Sequence, residues 1–317
     1  VDNVVKAGND NISNKGNKPA VSAISHKKHR FTKRDLAGWL VMLPTILLFA
    51  FFVWEPLLES IRLSLYKANG IRLEEFVWFD NYKQVLDHPD FFAAFGNTFR
   101  YILWSLIIGF FVPIIIAILI TETVHLKGLF KVGVYLPNIV PGMATVLMWG
   151  FFYSSGPSGV LNILLGKLGI DRMDWISNPK LTIPLIVITL TWRSAGSTAL
   201  IYMAGINGIN SELYEAATLD GAGIRRRIRH ITLPNIFSLG KTLFILQIIA
   251  VFQILYEPLV MTNGGPNNAS ISIMQLVYNY AFRDFNYPAA SALSVMMCMV
   301  LVILSGLYFK LTKSKES

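Results

Sequence analysis

Charged side chains are scarce: they make up 15% of the 317 residues, against roughly 25% in a soluble globular domain. So little solvated surface argues against a chain covered by water alone, and lipid is the natural cover for the 53% of residues that are hydrophobic. Cysteine is almost absent. The single Cys298 lies inside an apolar run, which excludes a disulfide framework within the chain. Histidine is sparse too: His26, His29, His88, His125 and His230 show no ligand spacing, and neither HExxH nor CxxC occurs, so no metal site is expected. No GxSxG motif and no paired aspartates fall within the apolar stretches, which leaves an intramembrane hydrolase without its chemistry, and no catalytic residue is assigned. Period-two alternation with turn signals is missing as well, which argues against a lipid-facing β-barrel.

What the sequence has instead is long apolar runs. A helix needs ~20 mainly apolar residues to cross a bilayer core ~30 Å thick. Six stretches meet that length, at about 36–58, 98–121, 130–152, 181–205, 236–260 and 288–309. The expected fold is therefore an all-α integral membrane protein with six transmembrane helices. Residues 1–35 are polar and end in "HKKHRFTKR", the composition of a disordered basic tail. The run after it lacks a small-residue cleavage site, so it is read as an uncleaved first membrane helix. The membrane domain is expected over 36–312 and a short tail over 313–317. Most Lys and Arg residues fall in the first tail, in 125–131, in the loop 206–235 with Lys241, and in the last residues. The 62–97 loop balances its cations with Glu74, Glu75, Asp80, Asp87 and Asp90. Excess cation marks the cytoplasmic side, so both termini and the 206–235 loop are expected inside the cell.

That loop contains "EAATLDGAGIRRRIRHITLP" at 215–234. Asn210 and Ser211 are suited to cap a helix whose first turn holds Glu212, the favoured sign at a helix N-terminus. Asp220 and Gly221 should break it, because glycine reaches backbone angles closed to other residues. A second short helix is expected next, ended by Pro234. Ala216 and Ala217 give the first helix a small-residue face that another protein can approach closely, and Glu215 offers a charge to a partner arginine.

The segment resembles the EAA loop of ABC importer permeases: Glu-Ala-Ala, three residues, Gly, nine residues, Ile, one residue, Leu-Pro. Glu215, Ala216, Ala217, Gly221, Ile231, Leu233 and Pro234 occupy every position of it, with Asp220 beside the glycine. The segments "WRSAGSTALIYMAGINGINSELYEAA", "GPSGVLN" and "TNGGPNNAS" are similar to those of carbohydrate importers of the maltose and glycerol-phosphate type, and the last resembles the first of two paired permeases. The resemblance implies a MetI-like type I ABC importer permease bundle in a bacterial cell membrane, importing an oligosaccharide or related polyhydroxylated solute. It implies a second permease subunit in a heterodimer, an extracellular solute-binding protein, and two cytoplasmic ATPase subunits that bind ATP and Mg, with no cofactor in this chain. It also implies that Glu215 pairs with the ATPase and that Gly221 sets the angle between the two short helices. The competing reading is a stand-alone ion-coupled secondary carrier, which needs intramembrane acidic residues and inverted repeats. Glu257 is the one serious candidate for the former.

Two other patterns lead nowhere. "NIFSLGKT" at 235–242 nearly spells a phosphate-binding loop, but Asn235 stands at the first glycine and a membrane run follows, where a soluble strand–loop–helix is needed. Arg225, Arg226, Arg227 and Arg229 lack the aromatic interleaving of a nucleic-acid surface, so no nucleic acid is expected. Lipid headgroups or an acidic protein fit them better.

Polar groups within a span usually face the bundle interior or a water path. Arg193 lies deep in its run, followed by Ser194 and Ser197, and Gln247, Val251 and Ile254 form one helical stripe on the next. These six are the substrate-pathway candidates. Arg193 has a second reading as a structural partner of Glu257, and Gln247 as a bridge between helices.

Overall fold

The computed structural model describes residues 33–313 except 71 and 124. Residues 1–32 and 314–317, which carry most of the two expected tails, lie outside the described part. The chain divides after Trp54 into two units. The first contains α1 (Lys33–Phe49), which runs into a π turn at Ala50–Trp54. It starts three residues before the expected boundary at 36.

The second unit begins with α2 (Glu55–Ser64) and a short antiparallel hairpin of β1 (Tyr66–Asn69) and β2 (Arg72–Phe76), a small departure from the expected all-α architecture. Next come α3 (Asp80–Leu86), α4 (Phe91–Trp104) and α5 (Phe111–Glu122), the last two joined by a π turn at Ser105–Gly109. Then follow α6 (Lys127–Ile139), α7 (Gly142–Phe152), α8 (Val160–Lys167) and α9 (Thr182–Asn207). The chain continues through α10 (Ser211–Leu219), α11 (Ile224–Arg227), α12 (Leu233–Phe252), α13 (Ile273–Phe282) and α14 (Tyr287–Lys313).

Five helical stretches among the described residues are long and apolar enough to cross a membrane: Leu36–Ser64, Phe91–Glu122, Thr182–Asn207, Ile224–Phe252 and Tyr287–Thr312. The expected straight span at 130–152 is instead two helices, α6 and α7, meeting at 96°. Pro137 removes a backbone donor within α6, and Pro141 holds an extended backbone at the joint (φ −54°, ψ 134°). A helix interior cannot absorb both. Counted as one span, the pair makes six. The span expected at 236–260 stops at Phe252, and a π turn at Pro258–Thr262 follows after a break.

Among the described residues, three buried clusters hold the second unit together. One joins α3, α4, α13 and the start of α14 through Val85, Phe91, Leu276, Tyr280 and Leu293. The second centres on Tyr101, Ile183, Ile186 and Val251, and the third packs Ala117, Ala199, Tyr202 and Ile236 between α5, α9 and α12. Helix α9 takes part in the last two. Where α6 crosses it, Gly196 lets the backbones touch: a Cβ there would overlap the Val134 carbonyl oxygen. The "TNGGPNNAS" segment is a turn with Asn263, Gly264, Asn267 and Asn268 at positive φ. It is tied to α4 by Asn97, whose Nδ2 donates to the Asn268 and Ile271 carbonyls at 2.7 and 3.2 Å, and by the Tyr101 hydroxyl, which donates to the Ser270 carbonyl at 2.9 Å.

Candidate functional site

The cavity. Residues of α9 and α12, the 253–257 segment after α12 and Ser105 of the π turn after α4 line a cavity of ≈ 390 Å³. Arg193, Ser194, Gln247, Val251 and Ile254 all line it. Ser197 does not. The stripe facing the cavity runs through Thr191, Ser194 and Thr198, and the Ser197 hydroxyl donates instead to the Ser194 carbonyl at 2.8 Å. Val251 and Ile254 are buried and also belong to the central core, so they form wall more than binding surface. Gln247 bridges helices: its Nε2 donates at 3.4 Å to the carbonyl of Ser105, in the π turn between α4 and α5. Gly109 leaves room for that amide, since a Cβ there would meet Nε2 at 2.5 Å.

Arg193 has its structural partner as well. Its Nη1 lies 3.8 Å from Oε1 of Glu257, which is an ion pair longer than a hydrogen bond. The guanidinium also rests on the α6–α7 joint, where a Cβ on Gly142 would lie 3.1–3.2 Å from its Cζ, Nη1 and Nη2. One cation thus stands between a buried carboxylate and the break in a bent helix pair. Ser105, Thr191 and Thr198 were not among the pathway residues expected from sequence. The two threonines share the helical stripe of Ser194, which a search for polar stripes on α9 would have found. Ser105 is a lone serine brought in by the fold.

The hairpin. Asn210 caps α10 as expected, its Oδ1 accepting from the Glu212 backbone N–H at 3.0 Å. Asp220 ends the helix and Gly221 follows at φ +74°, the left-handed step that glycine allows at a helix C-terminus. Pro234 does not end the second helix, contrary to expectation. The chain stays helical from Ile224 to Phe252 because a π turn at Ile228–Thr232 widens the backbone just before the proline. Pro234 then sits in the first turn of α12, where a missing N–H is tolerated.

The two arms are stitched together. Tyr214 and Thr232 share a hydroxyl hydrogen bond at 3.0 Å, and Arg227 donates to the Thr218 hydroxyl at 3.2 Å. The Arg227 Nη2 also pairs with Glu122 at the end of α5, at 3.3 Å. Glu122 was not singled out in the sequence. Ala217, Asp220, Arg226 and Ile231 line an open cleft of ≈ 430 Å³ beside the hairpin. Glu215, Ala216, Leu233 and Pro234 are exposed, and so is Leu219, at 89%. Among the described residues Glu215 has no ion-pair partner. Exposed leucine and unpaired carboxylate together make a surface suited to a protein partner.

Residues 124–314 match the family model described as "binding-protein-dependent transport system inner membrane component". A probable ABC transporter permease protein of Pyrococcus horikoshii is 31% identical, over 85% of this chain and 94% of the relative. The arabinooligosaccharides transport system permease protein AraP of Bacillus subtilis is 27% identical, over 93% of this chain and 95% of its own. Among solved structures, a bacterial ABC transporter involved in the import of the acidic polysaccharide alginate superposes with a TM-score of 0.79 and 25% identity, over 89% of this chain and 96% of that one.

Proposed function

The chain belongs to the inner membrane components of binding-protein-dependent transport systems, and from that membership we propose that it is a permease subunit of an ATP-driven ABC importer for an oligosaccharide or related polyhydroxylated solute. The observation that carries the coupling half of this reading is the 206–235 hairpin, with its capped α10, its glycine joint, an exposed unpaired Glu215 and its tie to α5. The hairpin docks on a separate ATPase, and ATP-driven closure of two such subunits moves α5 and α12 through it. Both termini face the cytoplasm with the hairpin, in keeping with the distribution of cations.

The cavity supports the sugar half. Hydroxyl and amide groups set against apolar wall are what a sugar site requires, and AraP supports the same class by similarity. One chain supplies only part of such a pathway, so a second permease completes it in a heterodimer. A solute-binding protein delivers the sugar from outside, and ATP and Mg are held by the ATPases. A proton- or cation-coupled carrier finds less support, because the acidic group at the cavity, Glu257, is engaged with Arg193.

The test is co-purification of the tagged chain in mild detergent, with mass spectrometry of its companions, for the native protein and for Glu215→Ala. An ATPase and a second permease should accompany the native chain, with about tenfold less ATPase on the variant, the loss that follows from removing one interfacial charge pair. A native chain that transports while purifying alone would return the secondary carrier to first place.

A further inference from the structure

We propose that Glu257 sets the charge class of the solute: by neutralising Arg193 it makes this chain's share of the cavity fit uncharged sugars and turn away carboxylated ones. This rests on the reading of the cavity as the solute pathway.

The cavity lining holds two formally charged residues, Arg193 and Glu257, of opposite sign and 3.8 Å apart. They are placed unequally. Glu257 is 5% exposed, while the Arg193 side chain is 36% exposed and reaches the cavity. A solute therefore meets a guanidinium whose charge is already answered from behind. A guanidinium carries five N–H donors, and a contact of 3.8 Å is too long to count as a hydrogen bond. Those donors remain free for sugar hydroxyls.

An anionic sugar meets a different balance. It must shed water from its carboxylate to enter, and that loss is repaid only by an uncompensated cation or several aimed donors. A neutral pair attracts a third charge weakly. A solute carboxylate on Arg193 would stand close to the Glu257 carboxylate, and that like-charge repulsion offsets most of what the guanidinium offers. An uncharged sugar faces no such repulsion. It finds the hydroxyls of Thr191, Ser194 and Thr198, the amide of Gln253, and the ring of Tyr256, which is 58% exposed. Polar groups with an aromatic face match a polyhydroxylated ring. Likeness in fold to a transporter of an acidic polysaccharide therefore does not extend to the charge of the solute.

The experiment uses the purified transporter with its partner subunits and without the solute-binding protein, so that the permease alone selects. The probes are an oligomannuronate trisaccharide and the same trisaccharide with its carboxyl groups reduced to alcohols. Affinity is read by calorimetry for the native protein, Glu257→Gln, Glu257→Asp and the double variant Arg193→Gln/Glu257→Gln. The native protein should bind the reduced sugar about tenfold more tightly than the uronate, the scale of one unanswered charge at a partly buried site. Glu257→Gln should shift the ratio toward the uronate by about tenfold on the same basis. Glu257→Asp and the double variant, both without net charge at the pair, should keep the native order.

A native preference for the uronate, or an unchanged ratio in a folded Glu257→Gln, overturns the inference and leaves the pathway reading standing. Failure of every variant and the native protein to bind either sugar overturns both. If Glu257→Gln alone does not fold, the native ratio and the double variant still decide. A double variant that comes to favour the uronate refutes the assignment.

Discussion

Gly196, among the small residues of "RSAGSTA", and Gly150, among the aromatic ones of "LMWGFFY", both stand inside helices, and sequence alone does not say which of them a neighbour touches. Space does. A Cβ on Gly196 would overlap the Val134 carbonyl oxygen and lie 3.0 Å from the Tyr135 Cα, whereas one on Gly150 would meet nothing within 4 Å. The first is a backbone contact between α9 and α6, the close approach that small residues permit between membrane helices. The second is an open helical position, where alanine favours the helix over glycine. Gly196→Ala should therefore destabilise the protein by about 1–3 kcal/mol, the usual cost of overpacking. Gly150→Ala should be neutral or stabilising by up to ~1 kcal/mol. Thermal melts of the two variants in detergent, followed by size-exclusion fluorescence, separate them, and equal melts would refute the contact. The same limit applied to Arg193. The sequence offered it both as a site residue and as the structural partner of the remote Glu257, and only the fold brings the two to 3.8 Å.

The elements whose limits are set by local chemistry were legible in the sequence: α10 begins at its asparagine cap and ends at Asp220–Gly221. Those shaped by backbone adjustment were not. A hydropathy window averages across Pro137 and Pro141 and reports one span where α6 and α7 turn through 96°. Pro234 reads as a terminator, yet the π turn before it carries the helix on. That continuity has a consequence for coupling. The hairpin is joined to α12 by continuous helix and is tied to α5 by the Arg227–Glu122 pair. Both side chains keep more than a fifth of their surface exposed, and such pairs contribute ~0–1 kcal/mol to stability. Arg227→Ala and Glu122→Gln should thus leave the melting temperature nearly unchanged. Transport per ATP hydrolysed should fall by up to about fivefold, the equivalent of ~1 kcal/mol. The exchange Arg227→Glu/Glu122→Arg should recover part of it. Reconstituted liposomes measure both quantities. A loss of co-purified ATPase in place of a loss of coupling would move Arg227 to the docking surface.

At the scale of the whole molecule, burial is unevenly shared. Half of the most apolar window of Thr182–Asn207 is buried within the chain, against 17% for Tyr287–Thr312. In a soluble protein such exposure would be untenable; in a membrane, lipid can cover it. Among the described spans, α9 is the one most buried by its own chain, and its polar stripe opens into the cavity. If the cavity belongs to a pathway with alternating access, Ser194 should face water on one side of the membrane at a time. Cys298 is exposed on α14, so the measurement starts from Cys298→Ser and adds Ser194→Cys, leaving a single thiol at the cavity. Labelling by a membrane-impermeant maleimide is then followed from each face of proteoliposomes holding the complete transporter. In the nucleotide-free state the thiol should react from one face, and trapping with ATP and vanadate should transfer the reactivity to the other or abolish it. Reaction from both faces in one state would make the cavity an open channel. Indifference to nucleotide would detach it from the ATPase, and with it the coupling assigned to the hairpin.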